Sequence, residues 1–253
     1  MALLNISYYS VSLSSQSGLY VALPGTFFAR DENKIEKADV LYLLHGMTGD
    51  YTDWQRHGDL EAYADFTNMI VVCPNGGNSF YVNGANGITD KYEDHFLEVM
   101  EYIYRAFKTS GRNFIAGLSM GGYGAVRLYL KYQELFAACG SFSGALDMKF
   151  RSQMPENVDF YKIVFGGVGS EFPDEYDCLK LAEKAGKDAK IFFNCGTEDY
   201  LLQENRNFKA ALDANNIPYE YAEYPGAHTW EYWTEHIYNV LERFSSIFGA
   251  DRK

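Results

Sequence analysis

Three short stretches carry residues able to do chemistry together, and they occur in a fixed order. Ser119 stands between glycines in Gly117-Leu118-Ser119-Met120-Gly121, the acid pair Glu198-Asp199 follows an apolar run, and His228 follows Pro225-Gly226. A serine hydroxyl is a poor nucleophile until a base removes its proton, and an imidazole base needs an acid to orient it. Serine, then acid, then histidine is the chain order expected when each sits on a loop after successive strands of an α/β sheet. The chemistry is then acyl transfer, with Ser119 as nucleophile, His228 as base and Asp199 as orienting acid. Asp199 is preferred to Glu198 because a tight turn at Gly196 leaves the acid a few residues further on.

The pattern G-x-S-x-G is weak by itself and gains weight from its surroundings. "RNFIA" before it reads as a strand and "GAVRLYLKY" after it as a helix, which a nucleophile elbow requires. Its flanking residues have to be small because strand and helix backbones pass close together there. The neighbouring "GSFSG", residues 140–144, does not fit the pattern. The negative oxygen formed on an attacked carbonyl needs donors. One expected donor is the backbone N–H of Met120, at the positive end of the helix. The second is the N–H of Met47, in the His45-Gly46-Met47 turn after the third strand, with His45 ordering that turn by hydrogen bonds. His95 and His236 fall within helices, as packing or surface residues. His57 lies in a polar loop, on the surface or at the rim of the site.

The elements that must hold these residues are apolar runs closed by Gly or Pro: "NISYYSVSL", "GLYVALPG", "DVLYLLHG", "MIVVCPNGG", "RNFIAGLS", "FAACGSFSG", "AKIFFNCG" and "IPYEYAEYPG". These read as strands. The first two, joined by "SLSSQSG", predict an antiparallel hairpin. "YEDHFLEVMEYIYRAF" places Phe96, Val99, Met100 and Ile103 on one helical face, and "NRNFKAALDANN" and "WEYWTEHIYNVLERFSSIF" are also helical in period. Strands alternating with helices predict a mostly parallel twisted sheet of about eight strands covered on both faces. With no repeat or linker, residues 1–253 read as one domain. Residues 145–186 make a long connection, expected to be a cap-like insertion with short helices over the ligand crevice.

Composition sets limits on function. The net charge of −12 speaks against nucleic acid and anionic membrane as partners, because either would need a basic face. No apolar run approaches the ~20 residues that span a bilayer. The N-terminus lacks the basic and apolar regions of a signal peptide. The cysteines, Cys73, Cys139, Cys178 and Cys195, show no metal-binding spacing and read as free thiols, so the expected location is cytoplasmic. Neither a metal nor an organic cofactor is called for. Homo-oligomerisation is left open.

Taken together, "LLHGMTGDYTDW", "PNGGNSFYVNG", "GLSMGGYGA", "CGTEDYL" and "PGAHTWEYW" resemble the esterase D-like branch of α/β-hydrolases, over about Leu41 to Phe244. That branch holds tributyrin, feruloyl and acetylxylan esterases, S-formylglutathione hydrolases and mycolyltransferases. The resemblance implies an α/β-hydrolase fold, a Ser119-His228-Asp199 triad and an oxyanion hole from Met47 and Met120. It also implies hydrolysis of short-chain acyl, acetyl or hydroxycinnamoyl esters of small molecules or carbohydrates. Leu118 and Tyr123 stand where S-formylglutathione hydrolases carry histidine, which turns the reading away from that thioester. An acyltransferase would share every catalytic residue. Trp54, Phe80, Tyr81 and Trp230 are candidate walls of the substrate pocket, with plain packing as the competing reading for each.

Overall fold

The computed structural model of the chain describes residues 1–28, 37–85, 90–155 and 158–250, with the side chains of the last helix described to residue 247. The strands are β1 (Ala2–Ser10), β2 (Ser15–Leu23), β3 (Ala38–Leu44), β4 (Met69–Pro74), β5 (Thr109–Leu118), β6 (Ala138–Phe142), β7 (Ile191–Gly196) and β8 (Glu220–Tyr224). They form one eight-stranded sheet in the order β1-β2-β4-β3-β5-β6-β7-β8. Only β2 runs against the rest: β1 and β4 both pair with it antiparallel, and every other pairing is parallel. The hairpin turn is tighter than "SLSSQSG" suggests. Ser10 pairs with Ser15 across a four-residue turn in which Ser14 takes a left-handed φ of 51°.

Side-chain alternation along the strands divides the core in two. Val40, Tyr42 and Leu44 of β3 face one side with α3 (Tyr92–Ala106), α4 (Met120–Lys131) and α8 (Leu202–Ala214). Leu41 and Leu43 face the other, with α2 (Leu60–Thr67) and α9 (Trp230–Ala250). Two helices between β3 and β4, the short α1 (Asp53–His57) and α2, were not among the predicted helices. α2 nevertheless has a clear cause. Asp59 caps it by accepting the Ala62 amide, Asn68 closes it at φ 54°, and Leu60, Tyr63, Ala64 and Thr67 form its buried stripe.

Residues 145–186 fold into short pieces, α5 (Met148–Arg151), α6 (Val158–Phe165), two 3₁₀ turns and α7 (Cys178–Ala182), apart from 156 and 157, which lie outside the described residues. They pack beside α4. Tyr123 donates its hydroxyl to the Tyr176 carbonyl at 2.7 Å, and the buried Arg127 reaches the Glu175 carbonyl at 3.2 Å and the Glu93 carboxylate at 2.7 Å.

Register brings the functional loops to one edge. Leu44 pairs with Gly117, Gly117 with Ser141, and Gly196 with Tyr224, so β3, β5, β6, β7 and β8 finish side by side. Ligands in open α/β sheets bind at this carboxyl edge.

Candidate active site

β5 delivers Ser119 through an apolar, buried run, and the chain then turns into α4 with no intervening residue. Ser119 takes φ 53° and ψ −117°, a conformation that costs an L-residue on the order of 1–3 kcal/mol and persists only where its surroundings enforce it. The enforcement is visible. The Ser119 amide donates to the Phe142 carbonyl at 2.9 Å, and the Ser119 carbonyl accepts from Tyr123 at 3.0 Å. Glycine is required on both sides: a Cβ at Gly117 would lie 2.4 Å from the Gly121 carbonyl oxygen, and one at Gly121 would lie 2.5 Å from that of Leu44.

The loop after β7 folds back on itself, with the Asp199 amide donating to the Gly196 carbonyl at 3.1 Å. Its two acids part company. Glu198 is exposed and accepts the Gly226 amide, which fastens this loop to the one after β8. Asp199 is 5% exposed and faces His228, with Nδ1 2.8 Å from Oδ2 and 3.1 Å from Oδ1. His228 Nε2 lies 2.9 Å from Ser119 Oγ. A carboxylate accepts only, so Nδ1 carries the proton toward Asp199 and Nε2 is left to accept the Ser119 hydroxyl. Burial works against ionised Asp199, but the hydrogen bond and charge of His228, with the Leu201 amide at 2.8 Å, outweigh it and hold the carboxyl below its ordinary range. The arrangement can therefore deprotonate a hydroxyl and hold the resulting imidazolium.

The turn after β3 meets the serine directly, since a Cβ at Gly46 would stand 3.6 Å from Ser119 Cβ. His45, 1% exposed, fixes this turn. The Gly76 amide donates to Nε2 at 2.8 Å, so Nδ1 bears the proton and donates to the Gly46 carbonyl at 2.7 Å. Burial pushes the imidazole pKa down, which favours this neutral form. In a trans peptide C=O and N–H point in opposite directions, so holding the Gly46 carbonyl toward His45 turns the Met47 N–H away from it.

Ser119 and His228 open on a cleft of about 550 Å³. Of the four aromatics predicted as its walls, Trp230 borders it and the other three do not. Trp54 is fully buried, donating Nε1 to the Leu44 carbonyl at 3.0 Å. Phe80 packs among Tyr123, Tyr161 and Phe165, and Tyr81 is buried with its hydroxyl on the His45 carbonyl at 3.2 Å. These three support the site from behind. The walls that the sequence reading missed are Tyr200, next to Asp199, and Trp233, edge-on to His228 at 4.9 Å. His57, read as a surface or rim residue, borders the cleft and stacks on Trp230 at 4.4 Å. Among the described residues of 145–186, none borders this cleft.

A parallel sheet with a strained serine at the turn from β5 to α4, hydrogen-bonded in line to a histidine and an acid from later strands, defines a serine hydrolase of the α/β-hydrolase fold. The family model described as "Putative esterase" matches residues 10–244. The acetyl esterase of Caldicellulosiruptor saccharolyticus is 32% identical, over 98% of this chain and 99% of its own. Among solved structures, the S-formylglutathione hydrolase of Staphylococcus aureus superposes with TM-score 0.83 at 31% identity, covering 96% of this chain and 98% of its own. A ferulic acid esterase superposes with TM-score 0.82 at 28% identity, covering 97% of both. The chain belongs to this esterase family, and it is a serine-type carboxylic ester hydrolase.

Proposed function

We propose that Ser119, His228 and Asp199 hydrolyse short-chain acyl esters through an acyl-enzyme, with acetyl esters as the first class to test and hydroxycinnamoyl esters as the next. The observation that carries the catalytic reading is the unbroken line Ser119 Oγ, His228, Asp199 at 2.9 and 2.8 Å. Ser119 Oγ attacks the ester carbonyl carbon as its proton passes to His228 Nε2, and the carbonyl electrons move onto oxygen. The Met47 and Met120 amides donate to that oxyanion. Its collapse expels the alcohol oxygen, which takes the proton from Nε2. A water then repeats the sequence on the acyl-enzyme, with His228 as base, and releases the acid and free Ser119. Asp199 keeps Nδ1 protonated and steadies the imidazolium.

The near-full-length acetyl esterase relative supports the acetyl preference. A thioester substrate of the S-formylglutathione kind is the second reading, favoured by the similarity to the Staphylococcus aureus enzyme. Against it stands Leu118, which borders the cleft where those enzymes were expected to carry histidine. Tyr123 no longer bears on that choice, because its side chain is buried against Tyr176. Transfer of the acyl group to an alcohol instead of water needs the same residues. Residues 145–186, beside α4, form an accessory segment of a single-domain enzyme. The four buried, unpaired cysteines support a cytoplasmic setting.

The test is a comparison of p-nitrophenyl acetate, butyrate and octanoate, methyl ferulate, acetylated xylan and S-formylglutathione, with product analysis in the presence of an added alcohol. Acetate or butyrate is expected to give the highest kcat/KM, Ser119→Ala none, and Asp199→Asn a loss of about 10⁴ in kcat. A higher kcat/KM for S-formylglutathione than for every oxygen ester would replace the substrate assignment.

A further inference from the structure

Tyr200 follows Asp199 directly and borders the cleft, yet the residue is 66% exposed. Its ring centroid lies 4.5 Å from that of His228, at an interplanar angle of 48°. An exposed tyrosine ordinarily samples several rotamers, so a wall built from one needs something to hold it. Arg151 supplies that hold, with Cζ 5.4 Å from the centre of the Tyr200 ring.

Arg151 is the last residue of α5, and its side chain is only 14% exposed. Its burial is made tolerable by Glu204, 1% exposed, whose Oε1 accepts from Arg151 Nε at 2.7 Å and stands 2.6 Å from Nη2. The four-residue α5 would not persist alone. Asp147 caps it through the Phe150 amide at 3.1 Å and accepts from Asn207 Nδ2 at 2.8 Å. Both ties, Asp147 to Asn207 and Arg151 to Glu204, lead to α8, which begins just beyond Tyr200. A partly desolvated guanidinium over an aromatic ring is attracted more strongly than one in water.

We propose that Tyr200 is a specificity-determining wall of the cleft and that Arg151 is the positioning residue that holds it. The α5 helix then influences which esters fit through one guanidinium. The proposal rests on the esterase reading. The group that lies along Tyr200 is the larger apolar part of the ester, acyl or alcohol, and small esters depend on it least.

Two series separate the sides: p-nitrophenyl esters of lengthening acyl chain, and acetates of increasingly bulky alcohols. Tyr200→Ala is expected to lower the large-to-small ratio of kcat/KM by about tenfold in one series, which identifies the side. Tyr200→Phe should restore the ratio because it keeps the ring. Arg151→Met should lower it in the same series and add little to Tyr200→Ala in the double variant. Should Arg151→Met fail to fold, Arg151→Lys is read in its place, since it keeps a charge on Glu204 but presents no planar group to the ring. Ratios unmoved by Tyr200→Ala, or moved by it but not by the arginine variant, overturn the proposal. Wild-type protein that hydrolyses no member of either series overturns the esterase reading, and the proposal with it.

Discussion

His45 holds the Gly46 carbonyl oxygen at 2.7 Å from Nδ1, and the Gly76 amide on its other nitrogen leaves the ring no second tautomer. In the proposed mechanism this contact sets the Met47 amide before any substrate arrives, the condition under which an oxyanion donor is most effective. His45→Ala is expected to lower kcat by about 10²–10³, the usual loss when one such donor is misplaced, with a much smaller change in KM. Steady-state kinetics on p-nitrophenyl acetate, with a thermal melt to confirm folding, checks it. Burial pushes the His45 pKa down, which favours the neutral ring on which this geometry depends.

Glycines at the elbow and at the start of β5 should respond very differently to a methyl group. A Cβ at Gly121 would sit 2.5 Å from the Leu44 carbonyl oxygen and 2.6 Å from that of His45, both backbone atoms that cannot swing aside. Gly111 has φ +89° but nothing within 4 Å of the added carbon. Gly121→Ala is expected to cost about 3 kcal/mol or more and to abolish activity, whereas Gly111→Ala carries only the backbone strain of about 1–2 kcal/mol. Urea unfolding of the two variants gives the comparison.

Trp54 and Trp230 touch, with ring centroids 5.2 Å apart, but only Trp230 borders the cleft. Trp54→Phe loses the bond to the Leu44 carbonyl and some packing, so stability should fall by about 1–3 kcal/mol while KM stays near wild type. Trp230→Ala should instead raise KM. Chemical unfolding paired with kinetics separates the two outcomes.

Glu204 gives stability a pH dependence. Burial raises its pKa to about 7, with the opposing pull of Arg151 too weak to cancel it. An unfolded glutamate titrates near 4.3. The folded state therefore holds the proton more tightly, and the associated stability is complete below the unfolded pKa and lost as pH rises through 7. Unfolding free energies measured from pH 4 to pH 8 should decline over that window, and Glu204→Gln should flatten the decline.

How much of this could be read from sequence depended on whether the signal was local. Ser119, Asp199 and His228 sit in short motifs whose order follows the strands, and the structure brings the three into hydrogen-bond contact. The α2 helix carries local signals too, an Asp59 cap and a Leu60, Tyr63, Ala64 and Thr67 stripe, but at eight residues between two strands it escapes a reading by helical period. The walls were not legible. Trp54, Phe80 and Tyr81 occupy promising motifs, and only tertiary packing decides that they turn inward. Tyr200 borders the cleft and meets a guanidinium from α5, a contact that no spacing encodes. Cys178 likewise lies in a polar stretch yet is fully buried, since α7 packs that face against the core.

The central claim is that Ser119 is the one activated nucleophile, poised by His228 at 2.9 Å. Incubation of the folded protein with a fluorophosphonate, followed by intact-mass measurement and peptide mapping, tests it most directly. The account predicts a single adduct on the peptide containing Ser119, absent in Ser119→Ala and strongly slowed in a folded His228→Ala variant. No adduct on folded wild-type protein, or an adduct on another residue that persists in Ser119→Ala, would contradict it.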